Sequence, residues 1–382
     1  MIKTTVVGNY PKISSDKSVP NLRNALNSFD QKKISAEELE RIYQTTIQRV
    51  VREQEEAGVD LPTDGQIRWD DIATFFSKNF EGAYINGLIR FFDNNVYYRK
   101  PVFTGELKLK APVSGTEYRN ASIHSKRRLK GVIIGPYTLA KMSVDEYYRD
   151  EERLVMTLAS ILQEEVFALQ EAGAQYIQID EPYLTGASEG LGLAKRALTE
   201  MLSGIRAKTI LCLYFGSIKP LVPALYDLPV DIFAVDTVSK PENLDLLLKA
   251  PLNKGIIAGC FDARNIKLEQ KADLFSIYKK LTSQNRPEIF VSPSCGLEFL
   301  PHSDATAKLK WMVKTVREFN SGRLRPPKAE KKAPSVKARP KSIVAQRKMK
   351  VKPRPKPALK KKKTPAKATA KRKTGKIRRR KK

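Results

Sequence analysis

The chain is 382 residues long, 41% apolar, and carries a formal charge of +29. That charge is segregated: residues 323–382 hold 28 Lys and Arg against one acid, Glu330, while residues 1–322 sit at +2. No apolar run approaches the ~18 residues of a membrane span, the apolar run near the start is too short for a secretory signal, and Cys212, Cys260 and Cys295 make no disulfide framework. The expectation is therefore a globular part over 1–322 and a polycationic tail over 323–382, in a reducing cytoplasm.

In chain order, the β-branched run 4–7 reads as a first strand closed by Gly8, with Asn9 and Tyr10 at its C-terminal end. A polar stretch with Pro20 and Asn21 follows. Ser35 with Glu38 three residues on is a capping box, opening a helix that Gly58 ends. Residues 59–61 form a short second strand stopped by Pro62, followed by a loop carrying Asp64, Gly65 and Gln66. Helix is expected over 69–78. Residues 80–128 break the rhythm with Phe91-Phe92, Tyr97-Tyr98 and Val102-Phe103. Such an insertion reads as extended pieces forming a lid or binding loop, and its aromatics argue against disorder.

Strand, then helix, recurs from there. Strands are expected over 131–134, 176–179, 209–214, 232–235, 255–259 and 289–292. Helices are expected over 151–172, 188–205, 220–226, 241–248, 268–281 and 302–319. Eight short buried strands with alternating helices predict a (β/α)8 TIM barrel with an insertion after the second strand. The other arrangement such a pattern permits is an open doubly wound sheet, but no GxGxxG follows a strand to support it.

In such barrels the reactive groups gather at the C-terminal ends of the strands. Collected there are Tyr10, Asp64, Gln66, Asp180, Glu181, Tyr214, Asp236, Asp262, Arg264 and Cys295, a mostly acidic mouth. Acids in that position hold an ammonium, a metal or a proton in transit. Asp180 and Glu181 are neighbours on one strand, so they face opposite ways: one is ligand-facing and the other belongs to the scaffold. Cys295 would be a nucleophile, a zinc ligand or a small buried hydrophobe.

Several of these strand-end segments resemble one family, the cobalamin-independent methionine synthases and their single-barrel archaeal-type relatives. They are VVGNYPK, LPTDGQIRWDD, IIGPY, IQIDEP, FAVDTV and SPSCGL. The resemblance covers about residues 2–320. It implies methyl transfer from methyltetrahydrofolate, or in some relatives from a methylcobalamin-type corrinoid protein, to the sulfur of homocysteine held on zinc. It implies that Asp180 holds the substrate amino group. It also implies a substrate pocket of Asn9, Tyr10, Asp64, Gln66, Asp180, Glu181 and Tyr214.

The zinc ligands of the family are His and Cys in an HxCY pattern, then Glu, then Cys. Here Leu211 and Leu213 stand at the first two positions, Asp236 replaces the Glu, and Cys295 is retained, so the expected metal ligands reduce to Asp236 and Cys295. Where active members carry a glutamate after the second-strand glycine, this chain has Gln66. LYFGSIKP and IFVSPSC look closer to the non-catalytic N-terminal barrel of the two-barrel enzymes. The second expectation is therefore a zinc-deficient paralogue that binds an amino acid, a pterin or a partner.

The tail has a linker-histone-like composition, with runs at Lys360, Lys361, Lys362 and Lys363 and at Arg378, Arg379 and Arg380. It is expected to stay disordered and to bind nucleic acid or the ribosome through counterion release. It has no large apolar anchors for a membrane surface.

Overall fold

The computed structural model describes residues 1–325, apart from 93, 95 and 187. The calls on Lys360–Lys363 and Arg378–Arg380, and on the tail from 326 onward, lie outside the described residues.

Strand β1 (Lys3–Thr4) leads into α1 (Leu22–Asp30), which the sequence reading passed over as a polar stretch. Its start is fixed by Asn21, whose side chain accepts the Asn24 N–H. Helix α2 (Ala36–Ala57) begins as expected, with Ser35 Oγ accepting the Glu38 N–H at 3.2 Å. It ends at Gly58, which takes φ +93, a value cheap only for glycine.

The expected helix over 69–78 shrinks to α3 (Thr74–Ser77). Asp71 is the reason: its carboxylate accepts the N–H groups of Ala73, Thr74 and Arg99 together with the Thr74 hydroxyl, so the chain turns around it first. The insertion is a long antiparallel hairpin, β2 (Phe80–Arg90) with β3 (Tyr97–Leu109), followed by α4 (Ser114–Ser122), a helix not anticipated.

Strand β4 (Gly131–Ile134) is followed by α5 (Pro136–Met142), with proline at its first turn where no N–H is needed. A two-residue strand β5 (Val144–Asp145) pairs with β3. Helix α6 (Glu151–Glu171) buries Leu154, Leu158, Ile161, Leu162 and Leu169 on its inner face. Each such leucine contributes roughly 1.5–3 kcal/mol. From the same face Glu165 accepts the N–H groups of Val113 and Ser114 and the Ser114 hydroxyl, anchoring the start of α4.

Strand β6 (Tyr176–Asp180), α7 (Leu191–Met201), β7 (Lys208–Leu213) and β8 (Ile232–Asp236) continue the alternation. The expected helix over 220–226 is two short 3-10 turns instead. Helix α8 (Glu242–Leu247), β9 (Gly255–Phe261), α9 (Lys271–Thr282), β10 (Ile289–Pro293) and α10 (His302–Asn320) complete the fold.

The main sheet runs β1-β10-β9-β8-β7-β6-β4, parallel throughout. Its two edges meet through the short second strand. Thr5 bridges Leu61 in parallel, Leu61 N–H donates to Thr4 O, and Lys130 N–H donates to Pro62 O just before β4. The ring is therefore closed by eight strand segments, the expected TIM barrel. No helix among the described residues is long and apolar enough to cross a membrane.

Candidate functional site

At the C-terminal end of the barrel a cavity of about 590 Å³ opens. Asp180, Tyr214 and Cys295 line it from the strand ends, and Asn9 and Gln66 from the first two loops. Phe91, Tyr97 and Tyr98 reach it from the hairpin, Phe215 and Phe299 from later loops.

Asp180 is 3% exposed. Its Oδ1 accepts from Gln178 Nε2 at 2.6 Å and its Oδ2 from the Tyr214 hydroxyl at 3.2 Å. Burial pushes its carboxyl up to about 7, against the pull of Gln178, Lys130, Tyr214 and Cys212. A carboxylate has about four lone-pair directions, so two neutral donors leave it able to take a cation. Gln66 is 1% exposed, and both amide atoms lack a partner among the described residues. It holds φ +52, fixed by Asp64 Oδ1 accepting its N–H at 3.0 Å. Phe215 holds φ +74. Two strained non-glycine residues beside one cavity are a mark of a working site. Glu298 adds an unpartnered Oε2, and burial raises its carboxyl to about 8.

Other expected site residues face elsewhere. Glu181 accepts the N–H groups of Tyr137 at 3.0 Å and Thr138 at 2.7 Å, so it caps α5. Strand alternation makes it the scaffold acid. Tyr10 is fully buried, with its hydroxyl 3.2 Å from Thr306 Oγ1 and its ring edge-on to His302. Asp64 borders a separate small crevice with Glu117 and Lys130, and acts on the cavity only by shaping Gln66. Asp262 Oδ1 accepts the Arg264 N–H, and the Arg264 guanidinium lies over Phe215, 5.4 Å from the ring centre.

The register shows which of residues 211–214 face inward. Asp180 pairs with Cys212, and the Tyr214 hydroxyl reaches Asp180. Cys212 and Tyr214 therefore point inward, and by alternation Leu211 and Leu213 point to the helix layer. Even so, the residues present do not suit zinc. Asp236 Oδ1 accepts the N–H groups of Val238 and Ser239, and its Oδ2 accepts that of Phe215. Leu211 and Leu213, at the family's His and Cys positions, bring no donor atom. Among the described residues no group of three or more His, Cys, Asp or Glu is arranged to hold a metal.

The sequence reading missed Gln178, Lys130 and Glu298, and also Lys12, which lines the cavity and donates to Trp69 O. Gln178 was within reach, because it lies two residues before Asp180 and so on the same face of β6.

Comparison with known proteins fits this geometry. Residues 2–318 match the family described as cobalamin-independent synthase, catalytic domain. A methionine synthase of Saccharolobus solfataricus is 33% identical over 326 residues, covering 83% of this chain and 96% of that protein. One from Sulfolobus acidocaldarius is 32% identical, covering 82% and 91%. A B12-independent methionine synthase from a Shewanella species, solved with selenomethionine, superposes with a TM-score of 0.72 at 19% identity, over 84% of this chain and 99% of that one. The chain belongs to the cobalamin-independent methionine synthase family.

Proposed function

We propose that the cavity holds an amino acid of the homocysteine and methionine class and that the protein transfers a methyl group to its sulfur. The observation that carries this is Asp180, a buried carboxylate open to a cavity lined by aromatic rings. Its anion takes the ligand ammonium. The unpartnered Gln66 amide offers Nε2–H to the ligand carboxylate and Oε1 to the ammonium. Phe91, Phe215 and Phe299 shield the sulfur from water and suit the flat ring of a pterin methyl donor. As the sulfur–carbon bond forms, the bond from methyl to donor breaks and its electron pair leaves with the donor. The carboxyl of Glu298, largely protonated at neutral pH, gives its proton to the donor as that bond breaks and takes the thiol proton in return. No step runs through zinc, because the ligand set does not fit it.

The test is a methyl-transfer assay with homocysteine and either methyltetrahydrofolate or a methylcorrinoid, alongside calorimetric binding of methionine. Methionine binding and turnover support the proposal. Binding without turnover from either donor supports the second reading, a paralogue that retains the ligand, which the Asp236 contacts favour. No binding at all rejects both.

For the tail we propose polyanion binding in the cytoplasm, resting on its composition. Replacing Lys360–Lys363 and Arg378–Arg380 by Gln in the full chain should flatten the salt dependence of DNA or RNA binding, by roughly 0.9 log unit per lost phosphate contact. An unchanged slope removes these residues from the interface. The three buried cysteines, all free, suit a reducing compartment.

A further inference from the structure

Lys130 is a lysine sealed inside the barrel. It is 2% exposed, just ahead of β4, and lines no part of the large cavity. Its Nζ donates to Val6 O and to Gln178 Oε1. Gln178, 1% exposed, donates Nε2–H to Val7 O at 2.7 Å and to Asp180 Oδ1 at 2.6 Å. Asp180 is the next group in the line, and beyond it lies the cavity.

The directions of these bonds are not interchangeable. An ammonium only donates, so Lys130 draws the Gln178 carbonyl oxygen toward itself. The Gln178 NH₂ is thereby turned toward Val7 O and Asp180. Without the cation, the amide could flip and set its oxygen against the Asp180 carboxylate. A buried lysine is costly unless it is well paired, and here its partners lead to an acid that faces the ligand space.

We propose that Lys130 is a positioning residue for Asp180: through Gln178 it fixes a donor on that carboxylate and favours its ionised form, which takes a ligand ammonium. This rests on the proposed function only for the identity of the ligand. The other groups facing Asp180 are the Tyr214 hydroxyl and the Cys212 thiol from β7, Glu181 next along the chain, and Glu298 across the mouth. The two further acids oppose ionisation and Lys130 favours it, while Lys12, on the wall of the same cavity, acts on Glu298. Burial lowers Lys130 to about 8, opposed by Cys212 and Asp180, so it is still charged at neutral pH.

Two readouts test this in the full-length protein. The first needs no ligand: carboxylate infrared absorption followed against pH, with Asp180→Asn identifying the Asp180 band. The wild-type midpoint is expected near 7. In Lys130→Met it should move up by about one unit, since the cation favouring the anion is gone. Gln178→Leu keeps Lys130 and cuts the link, so its midpoint should also rise, which keeps the test alive if Lys130→Met does not fold. The second readout is methionine affinity at neutral pH, expected to fall roughly tenfold in either variant. A purely structural lysine would lower the melting temperature and leave the midpoint where it is, and an unchanged midpoint in a folded variant overturns the proposal. If the wild type binds no methionine, the ligand assignment fails while the infrared titration still decides the role of Lys130.

Discussion

Two strand ends in this barrel carry an inward-facing aspartate, and they are used in opposite ways. At the end of β6, Asp180 meets two side-chain donors and the cavity. Two strands away, at the end of β8, Asp236 is enclosed by three backbone N–H groups and lies outside the cavity wall. The first acid keeps capacity for an incoming cation. The second has become part of the backbone that shapes the loop carrying Phe215. The Asp180 side of the mouth thus keeps free acceptor capacity, while the Asp236 side has its oxygens taken by backbone N–H groups.

The largest expected effect is on ligand affinity at the first acid. Asp180→Asn keeps the shape and removes the charge. A hydrogen bond to a charged group contributes about 1.5–3 kcal/mol, so methionine affinity measured by calorimetry should fall by roughly tenfold to a hundredfold. Unchanged affinity would end the distinction between the two strand ends.

Asp236→Ala should do the reverse. Three N–H groups lose their acceptor, which should cost about 2–3 kcal/mol of stability, seen as a lower denaturant midpoint. Ligand affinity should stay within a few-fold of wild type in the folded protein. A large loss of affinity with little loss of stability would place Asp236 in the binding machinery instead.

The barrel was legible because its strands are short apolar runs stopped by glycine or proline, as at Gly255–Phe261 and Ile289–Pro293. What misled was local competition for backbone N–H groups, as where Asp71 unwinds the start of the expected helix over 69–78. In the site, alternation showed that one of Asp180 and Glu181 faces the cavity, but Glu181, expected in the substrate pocket, caps α5 instead. That Cys212, and not Leu211, faces inward was not legible, because inward direction is set by pairing with β6, which no single segment contains. Lys130 and Glu298 were not legible: a lysine before a buried strand reads as a surface residue until the closed barrel surrounds it.

A smaller effect separates the acids by pH. Asp180 has a folded value of about 7, above its ordinary 3.8. An acid raised in this way is protonated in the folded protein but ionised in the unfolded chain between those limits. Its contribution to stability is therefore present in full below 3.8 and declines as pH rises through about 7. Asp180→Asn, which carries no such ionisation, should gain stability relative to wild type over that interval. Denaturant midpoints for the two proteins at several pH values would show the gap widening; a constant gap would mean that Asp180 is ionised in the fold at every pH tested.

The smallest expected effect is the response to metal removal. Zinc sites add large binding energies to folding when their ligands are ionised thiolates, imidazoles or free carboxylates. Here Leu211 and Leu213 bring no donor atom, and Asp236 already accepts three N–H groups. Dialysis against a strong chelator should therefore leave both the melting temperature and methionine affinity as they were. A stoichiometric metal released by that treatment, with a fall in either quantity, would show that the β7–β8–β10 side rearranges to bind one. The two strand ends would then be partners in one reaction centre, and the methyl acceptor's sulfur would lie between Asp180 and Cys295 instead of against the aromatic wall.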